Sequence, residues 1–338
     1  MKSSDLKLAW PLIGNNQVVE FLAKTITKDS PAGSYIFAGP ADLGKTTVAN
    51  FFAQSLVCLS PRGVSPCGRC PACLQAQKGL HGDITLIKKN RDKKNISIEQ
   101  IREFIRTLSL TSFLNTFKIG IVKEAESLTI EAFNALLKTL EEPKLKVVII
   151  LITTDLKALP TTVISRSQIL RFYPVKTDLI YDYLIKKYQA SRSAAKNFSH
   201  LSLGRPALAV KFFQEKEFYQ NYQSQASIFL TLDKLDLNQC LTSIEDFLGR
   251  QSQGQEQVSQ VSALLDIWQG LVRDLILISL NLADLIQHQP FENELKKINA
   301  NFKLINLIKL AKNLKQAKSY ISANLNPKLV LENLMINI

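Results

Sequence analysis

No apolar run in this chain approaches the ~18–20 residues of a membrane span, so an integral helical membrane protein is not expected. The opening stretch MKSSDLKLAWPLIG lacks the apolar core of a secretory signal, and a cytosolic protein is expected. Internal repeats, long low-complexity segments and a disordered tail are also missing. Acids are scarce, with 29 Asp and Glu against 42 Lys and Arg, a net charge of +13. Cysteine is sparse too: there are five, and four of them crowd between positions 58 and 73. Apolar residues are not scarce. At 46% over 338 residues they can fill the cores of two or three domains.

The missing acids are unevenly distributed. Residues 1–210 hold 29 basic and 16 acidic side chains, whereas 211–338 balance at 13 of each. The balanced part splits again, with 5 basic and 12 acidic residues in 211–295 and 8 against 1 in 296–338. A basic surface of this kind fits a polyanionic partner such as a nucleic-acid backbone. Solvated faces with no partner would give the same count.

Strand and helix signals alternate through the first half. GSYIFAGP (33–40), DITLIKK (83–89), KIGIVKE (118–124), KVVIILITT (146–154) and SQILRFYPV (167–175) read as five strands. The run at 146–154 is continuously apolar from Val147 to Ile152, as in a strand buried on both faces. Between the strands, 45–58, 95–110 and 128–142 read as helices. Ser97 is a candidate N-cap with Gln100 completing a capping box, and Pro143 is a stop. Alternation predicts a parallel five-stranded sheet with helices on both sides. After about residue 176 the strand signal vanishes and helical patterns take over. In 305–321, Leu307, Leu310, Leu314 and Ile321 form one apolar stripe, with Lys309, Lys312, Lys315 and Lys318 elsewhere.

GPADLGKTT (39–47) fits the phosphate-binding pattern G-x-x-x-x-G-K-[ST] in full, at Gly39, Gly44, Lys45 and Thr46, with Thr47 following. Backbone N–H groups of such a loop cradle phosphates, the lysine reaches the outer ones, and the hydroxyl can ligate magnesium. The loop lies between a strand and a helix, which its chemistry requires. Cys58, Cys67, Cys70 and Cys73 follow a C-x8-C-x2-C-x2-C spacing, able to close a tetrahedral zinc site. Disulfides are the rival reading, disfavoured in a reducing cytosol. Cys240 stands alone and is expected to be a buried apolar residue.

A hydrolase built on this loop needs acids at the end of a second strand. The candidate strand ends in KEAE, with Lys123 at the aspartate position and Glu124 at the glutamate position. An ammonium there opposes magnesium. It can pair with phosphate or with Glu124, or simply point to solvent. Arg166, in SRS just before the fifth strand, is suited to planar phosphate contacts, although a salt bridge is the default reading.

Together these stretches resemble the AAA+ subunits of the bacterial DNA polymerase III clamp loader. The supporting residues are the phosphate loop, the four-cysteine insert, HGD (81–83), NALLKTLEEP (134–143), TTDLKALPTTVISRS (153–167) and GRPALA (204–209). The resemblance covers roughly residues 8–210 with specific motifs and the remainder more loosely. Of the two kinds of subunit on this plan, the tau/gamma motors read D-E-A in the second acidic motif and hydrolyse ATP. Delta-prime subunits have a degraded ATPase site, yet keep an arginine finger and the zinc module. With K-E-A, and Ser167 in place of the family's cysteine, this chain looks like delta prime, although its phosphate loop is intact.

The resemblance implies an AAA+ domain over 1–175 with a zinc insert at 58–73, a small helical lid over 176–210 and a helical collar over 211–338. Arg166 would be a finger acting on a neighbour's ATP. Gly39, Gly44, Lys45, Thr46, Thr47 and Glu124 would surround any nucleotide, with Thr154 near sensor 1 and Arg205 near sensor 2, and WPLIGNN (10–16) would lie beside the adenine. Zinc is the implied structural cofactor and ATP with magnesium the further one. Implied partners are tau/gamma and delta subunits in a hetero-pentamer, the sliding clamp and primer-template DNA, and the acidic and basic collar segments would pair with neighbouring collars. Two other readings stay open: an ATP-hydrolysing motor subunit, and a zinc-stabilised DNA-binding protein with a vestigial loop.

Overall fold

The structure is a computed structural model that describes residues 10–89, 95–112, 117–142, 146–232, 235–249 and 254–336. Pro143, the expected helix stop, lies outside them. The chain divides into two compact units, one within Met1–Leu179 with Arg205–Ala207, the other within Ile180–Gly204 with Leu208–Ile338.

The first unit is built on five parallel strands: β1 (Ser34–Ala38), β2 (Ile84–Ile87), β3 (Lys118–Val122), β4 (Val147–Thr153) and β5 (Gln168–Arg171). Their order across the sheet is β2-β3-β4-β1-β5, with Ile36 opposite Leu151 and Ile169. Side chains alternate between two apolar layers, as a strand's period of two requires. Tyr35, Phe37, Val148, Ile150 and Ile152 face one core; Ile36, Ala38, Val147, Ile149 and Leu151 face the other. Helices α1 (Asn16–Thr27) and α2 (Lys45–Val57) cover the first layer through Val18, Leu22, Val48 and Phe52. After the short α3 (Pro71–Gln77), helices α4 (Ile98–Ser109) and α5 (Ile130–Glu141) cover the second through Ile101, Phe104, Phe133 and Leu136. The capping box expected at Ser97 forms: its N–H donates to Gln100 Oε1 at 3.1 Å.

A buried charge pair fixes where β3 begins. Asp83 and Lys118 are almost fully buried, with Nζ 3.4 Å from Oδ1, and Ser112 Oγ donates to Asp83 Oδ2 at 2.8 Å. The Ile119 N–H donates to Asp83 O at 2.8 Å, so the pair and the β2–β3 register are set together. The height at which β3 delivers residues 123–126 depends on it. The unit continues through α6 (Thr161–Ile164).

Among the described residues no strand follows β5. Helices α7 (Thr177–Tyr188), α8 (Arg192–Leu201), α9 (Pro206–Gln214), α10 (Lys216–Thr231), α11 (Leu237–Leu248), α12 (Gln255–Ser279), α13 (Glu292–Asn299), α14 (Leu304–Ser322) and α15 (Pro327–Ile336) complete the chain. In the second unit α12 packs on α14, with Trp268, Leu271 and Leu275 buried against Leu307, Leu310, Leu314 and Ile321. Cys240 is buried in the same core. Asp274 is a buried acid whose oxygens accept the Gln287 and His288 N–H groups at 2.8–3.0 Å and meet His288 Nδ1 at 2.7 Å. The opposite charges of the two C-terminal segments also meet inside this unit: Lys318 pairs with Asp266, and Lys328 Nζ lies 2.7 Å from Glu245 Oε1. Contacts of α14 with α12 and of α15 with α11 bring these partners together. No helix among the described residues is long and apolar enough to cross a membrane.

Candidate functional site: a phosphate-loop cleft and a four-cysteine cluster

In a parallel sheet every strand ends at the same edge, and ligands bind beyond those ends. Here the ends of β1, β3 and β4 open on a cleft of about 330 Å³. Ala41, Asp42, Gly44, Lys45, Thr46 and Thr47 form one wall. The opposite wall holds Lys123, Glu124, Glu126, Thr153 and Thr154, and Ala207 closes a side.

Two glycines make the loop. Gly39 has φ +146°, and a Cβ there would stand 2.3 Å from the Phe172 carbonyl oxygen. Gly44 has φ +85° and caps α2, where a side chain would press on Leu12. Lys45 is 5% exposed and its Nζ donates to the carbonyl oxygens of Gly39 and Pro40. Burial pulls its ammonium below the ordinary lysine value, against the charges of Glu126 and Asp42, which favour the proton. Trp10 is buried beneath the loop against Phe51, with ring centroids 5.0 Å apart. The Asp42 carbonyl accepts the Ala207 N–H at 3.0 Å. Arg205 lies two residues before Ala207, directly ahead of α9, and is not among the residues lining the cleft.

The far wall departs from the sequence expectation in detail. Lys123 does line the cleft, but it makes no ion pair with Glu124. Glu124 takes a left-handed backbone conformation (φ +54°) and its carboxylate lies 3.7 Å from Lys89 Nζ, past the end of β2. Glu126 was not singled out from the sequence, although the second acid of KEAE signals it. Its Oε1 accepts both the Thr154 N–H, at 3.1 Å, and the Thr154 hydroxyl, at 2.6 Å. Its Oε2 is buried with no hydrogen-bond partner. Magnesium beside phosphates is ordinarily held by one or two carboxylates with a hydroxyl and waters. Thr46 supplies the hydroxyl, but an ammonium stands at the acid position, Glu124 is turned to Lys89, and Glu126 is engaged by Thr154. Of the acids lining the cleft, Glu126 Oε2 is the buried oxygen left without a partner.

Arg166 lies just after α6 and lines no part of this cleft. Its Nη1 donates to Thr162 O at 2.9 Å and its Nη2 lies 2.5 Å from Glu141 Oε1, at the end of α5. Its side chain is 34% exposed and that of Glu141 47%.

The four clustered cysteines come together between α2 and α3. Their sulfurs all lie within 4.8 Å of one another. Cys67 and Cys73 are 3.9 Å apart, close to the ~3.8 Å edge of a tetrahedron with 2.3 Å metal–sulfur bonds. Backbone N–H groups aim at the sulfurs: Cys67 toward Cys58, Cys70 toward Cys67 and Cys73 toward Cys70, at 3.3–3.4 Å. Such donors favour thiolate. The N–H groups of Arg69 and Cys70 bring Cys67 down to about 6, while burial pushes Cys73 up to about 12. The cluster could hold one metal ion.

The family described as DNA polymerase III, delta subunit, matches residues 14–176. The delta' subunit of Bacillus subtilis is 31% identical over 218 residues, 64% of this chain and 65% of that one. This chain is similar to delta' and gamma subunits of DNA polymerase III. The DNA polymerase III gamma subunit of Buchnera aphidicola subsp. Acyrthosiphon pisum is 31% identical over 173 residues, 51% of this chain and 47% of that one. The chain spans about half or less of the first three curated relatives it matches, at 47%, 32% and 22% of their lengths. A DNA polymerase III gamma subunit-related protein of Thermotoga maritima shares the fold of this chain, with a TM-score of 0.52, 18% identity and coverage of 94% and 97% of the two chains.

Proposed function

We propose that this chain is a delta-prime-like, cytoplasmic subunit of a clamp loader: a scaffold that binds adenine nucleotide without turning it over and donates Arg166 to a neighbour's ATP site. One observation carries the reading. Lys123 enters the cleft where a motor subunit needs a metal-managing acid, facing a phosphate loop that is otherwise complete. Three parts follow, an AAA+ domain over 1–175, a lid over 176–210 and a collar over 211–338 joining tau/gamma and delta subunits in a hetero-pentamer. The basic N-terminal half would face primer-template DNA as a sliding clamp is loaded. The cysteine cluster would hold structural zinc, since four thiolates leave no open position for chemistry.

Arg166 fits a role in trans. It is absent from its own cleft, and its pair with Glu141 is half-exposed, so releasing it costs at most about 1 kcal/mol. Arginine fingers accelerate phosphoryl transfer by ~10³–10⁵-fold, diluted where one site of several in a ring is affected. The test is the ATPase rate of the pure chain and of the reconstituted complex. The pure chain should show none. Arg166→Ala should slow the DNA- and clamp-stimulated rate of the complex while leaving the chain's own nucleotide binding intact. Robust turnover by the pure chain, abolished by Lys45→Ala, would establish the motor reading instead.

A further inference from the structure

We propose that the Glu126 carboxylate stands in for a terminal phosphate, so that the cleft accepts a nucleoside diphosphate in preference to the triphosphate. The inference rests on the nucleotide-binding reading above and names the ligand of that cleft.

The geometry supplies three supports. First, Thr154 presents two donors to the cleft from the end of β4, next to the strand that carries the phosphate loop. Both are taken by Glu126 Oε1, at 3.1 and 2.6 Å. Donors that would otherwise read an anionic group at this wall are satisfied from within the chain. Second, Glu126 Oε2 is buried, without a hydrogen-bond partner, in a residue that lines the same cleft. A carboxylate held this way occupies the wall at which Thr154 would otherwise receive a further phosphate. Third, the charge of Glu126 favours the proton on Lys45, the side chain that in such loops reaches the outer phosphates. Lys45 and Glu126 thus line one cleft, with the carboxylate acting on the lysine through its charge.

A triphosphate must bring its last group against this carboxylate, with both Thr154 donors already used. Like charges at such separations, in a half-dry cleft, repel appreciably. A diphosphate avoids the clash and keeps the loop N–H groups, Lys45 and Lys123. Glu124 adds little, because it is turned toward Lys89.

The experiment is calorimetric titration of the purified full chain with ADP and with ATP, each in EDTA and in excess magnesium. The wild type should bind ADP about tenfold more tightly than ATP in both conditions. Glu126→Gln keeps an acceptor for Thr154 but removes the charge. It should tighten ATP by about tenfold while ADP changes by less than about twofold, so that the ADP arm reports that the variant is folded. ATP bound as tightly as ADP by the wild type overturns the proposal. An unchanged preference in Glu126→Gln does so too, and so does a loss of both ligands confined to magnesium, which would make Glu126 a metal ligand. Binding of neither nucleotide under any condition removes the nucleotide-binding reading together with this inference. Turnover by the pure chain removes only the non-hydrolysing role.

Discussion

Replacing Asp83 with asparagine should destabilise the first unit far more than a surface change would. The carboxylate and the Lys118 ammonium are 0% and 5% exposed, 3.4 Å apart, at the paired starts of β2 and β3. Asparagine keeps nearly the same volume and can still accept from Ser112 Oγ, so the swap isolates charge. It leaves a lysine buried with its counter-ion gone. Breaking a buried pair on one side costs about 3–5 kcal/mol, whereas replacing both members with apolar groups is often close to neutral. Asp83→Asn should therefore lose about 3–5 kcal/mol, and adding Lys118→Met should restore much of it. The chain's two tryptophans help the assay, since Trp10 lies in the first unit and Trp268 in the second. In a Trp268→Phe background, urea unfolding followed by fluorescence reports the first unit alone. A loss below about 1 kcal/mol for Asp83→Asn, or a double variant no better than the single one, would refute a stabilising role for the pair.

Two more outcomes follow from the other clusters. Purified protein should carry about one zinc per chain by metal analysis, with Cys67→Ser lowering both metal content and thermal stability, and with metal affinity falling on acidification because only thiolates bind; metal-free protein with an oxidised Cys67–Cys70 pair would rule the site out. Glu141→Gln should change the stability of the chain by less than about 1 kcal/mol, because its pair with Arg166 is half-exposed; a loss above about 2 kcal/mol in urea unfolding would make Arg166 a structural mooring rather than a finger.

What was legible in the sequence was legible for local reasons. KVVIILITT reads as a doubly covered strand because six consecutive positions, Val147 to Ile152, are apolar, and β4 indeed sends alternate residues into two cores. Ser97 and Gln100 are three residues apart, so their capping box can be read without the rest of the chain. The phosphate loop is likewise a contiguous motif whose glycines answer to their own backbone. Pairings between distant side chains carry no such period. Glu124 meets Lys89 from the neighbouring strand's end, Glu126 meets Thr154 across 28 positions, and Arg166 meets Glu141 from the end of another helix. Charge arithmetic over 211–338 likewise says nothing of which lysine meets which acid within the unit, because helix packing decides it.

The cleft shows how the two kinds of information combine. Three local signals, the loop after β1, KEAE after β3 and TTD after β4, are separated by dozens of residues, yet a parallel sheet gathers all strand ends at one edge. Alternation of strands and helices is therefore enough to predict that the three share a site, and all three do line it. It is not enough to say which acid faces the ligand. Lys123, Glu124 and Glu126 all line the cleft, but Glu124, in a left-handed turn, pairs with Lys89, whereas Glu126, on the next short turn of 3₁₀ helix, pairs with Thr154. What the fold brings opposite the phosphate loop is an ammonium at position 123 and two acids already engaged, Glu124 by Lys89 and Glu126 by Thr154.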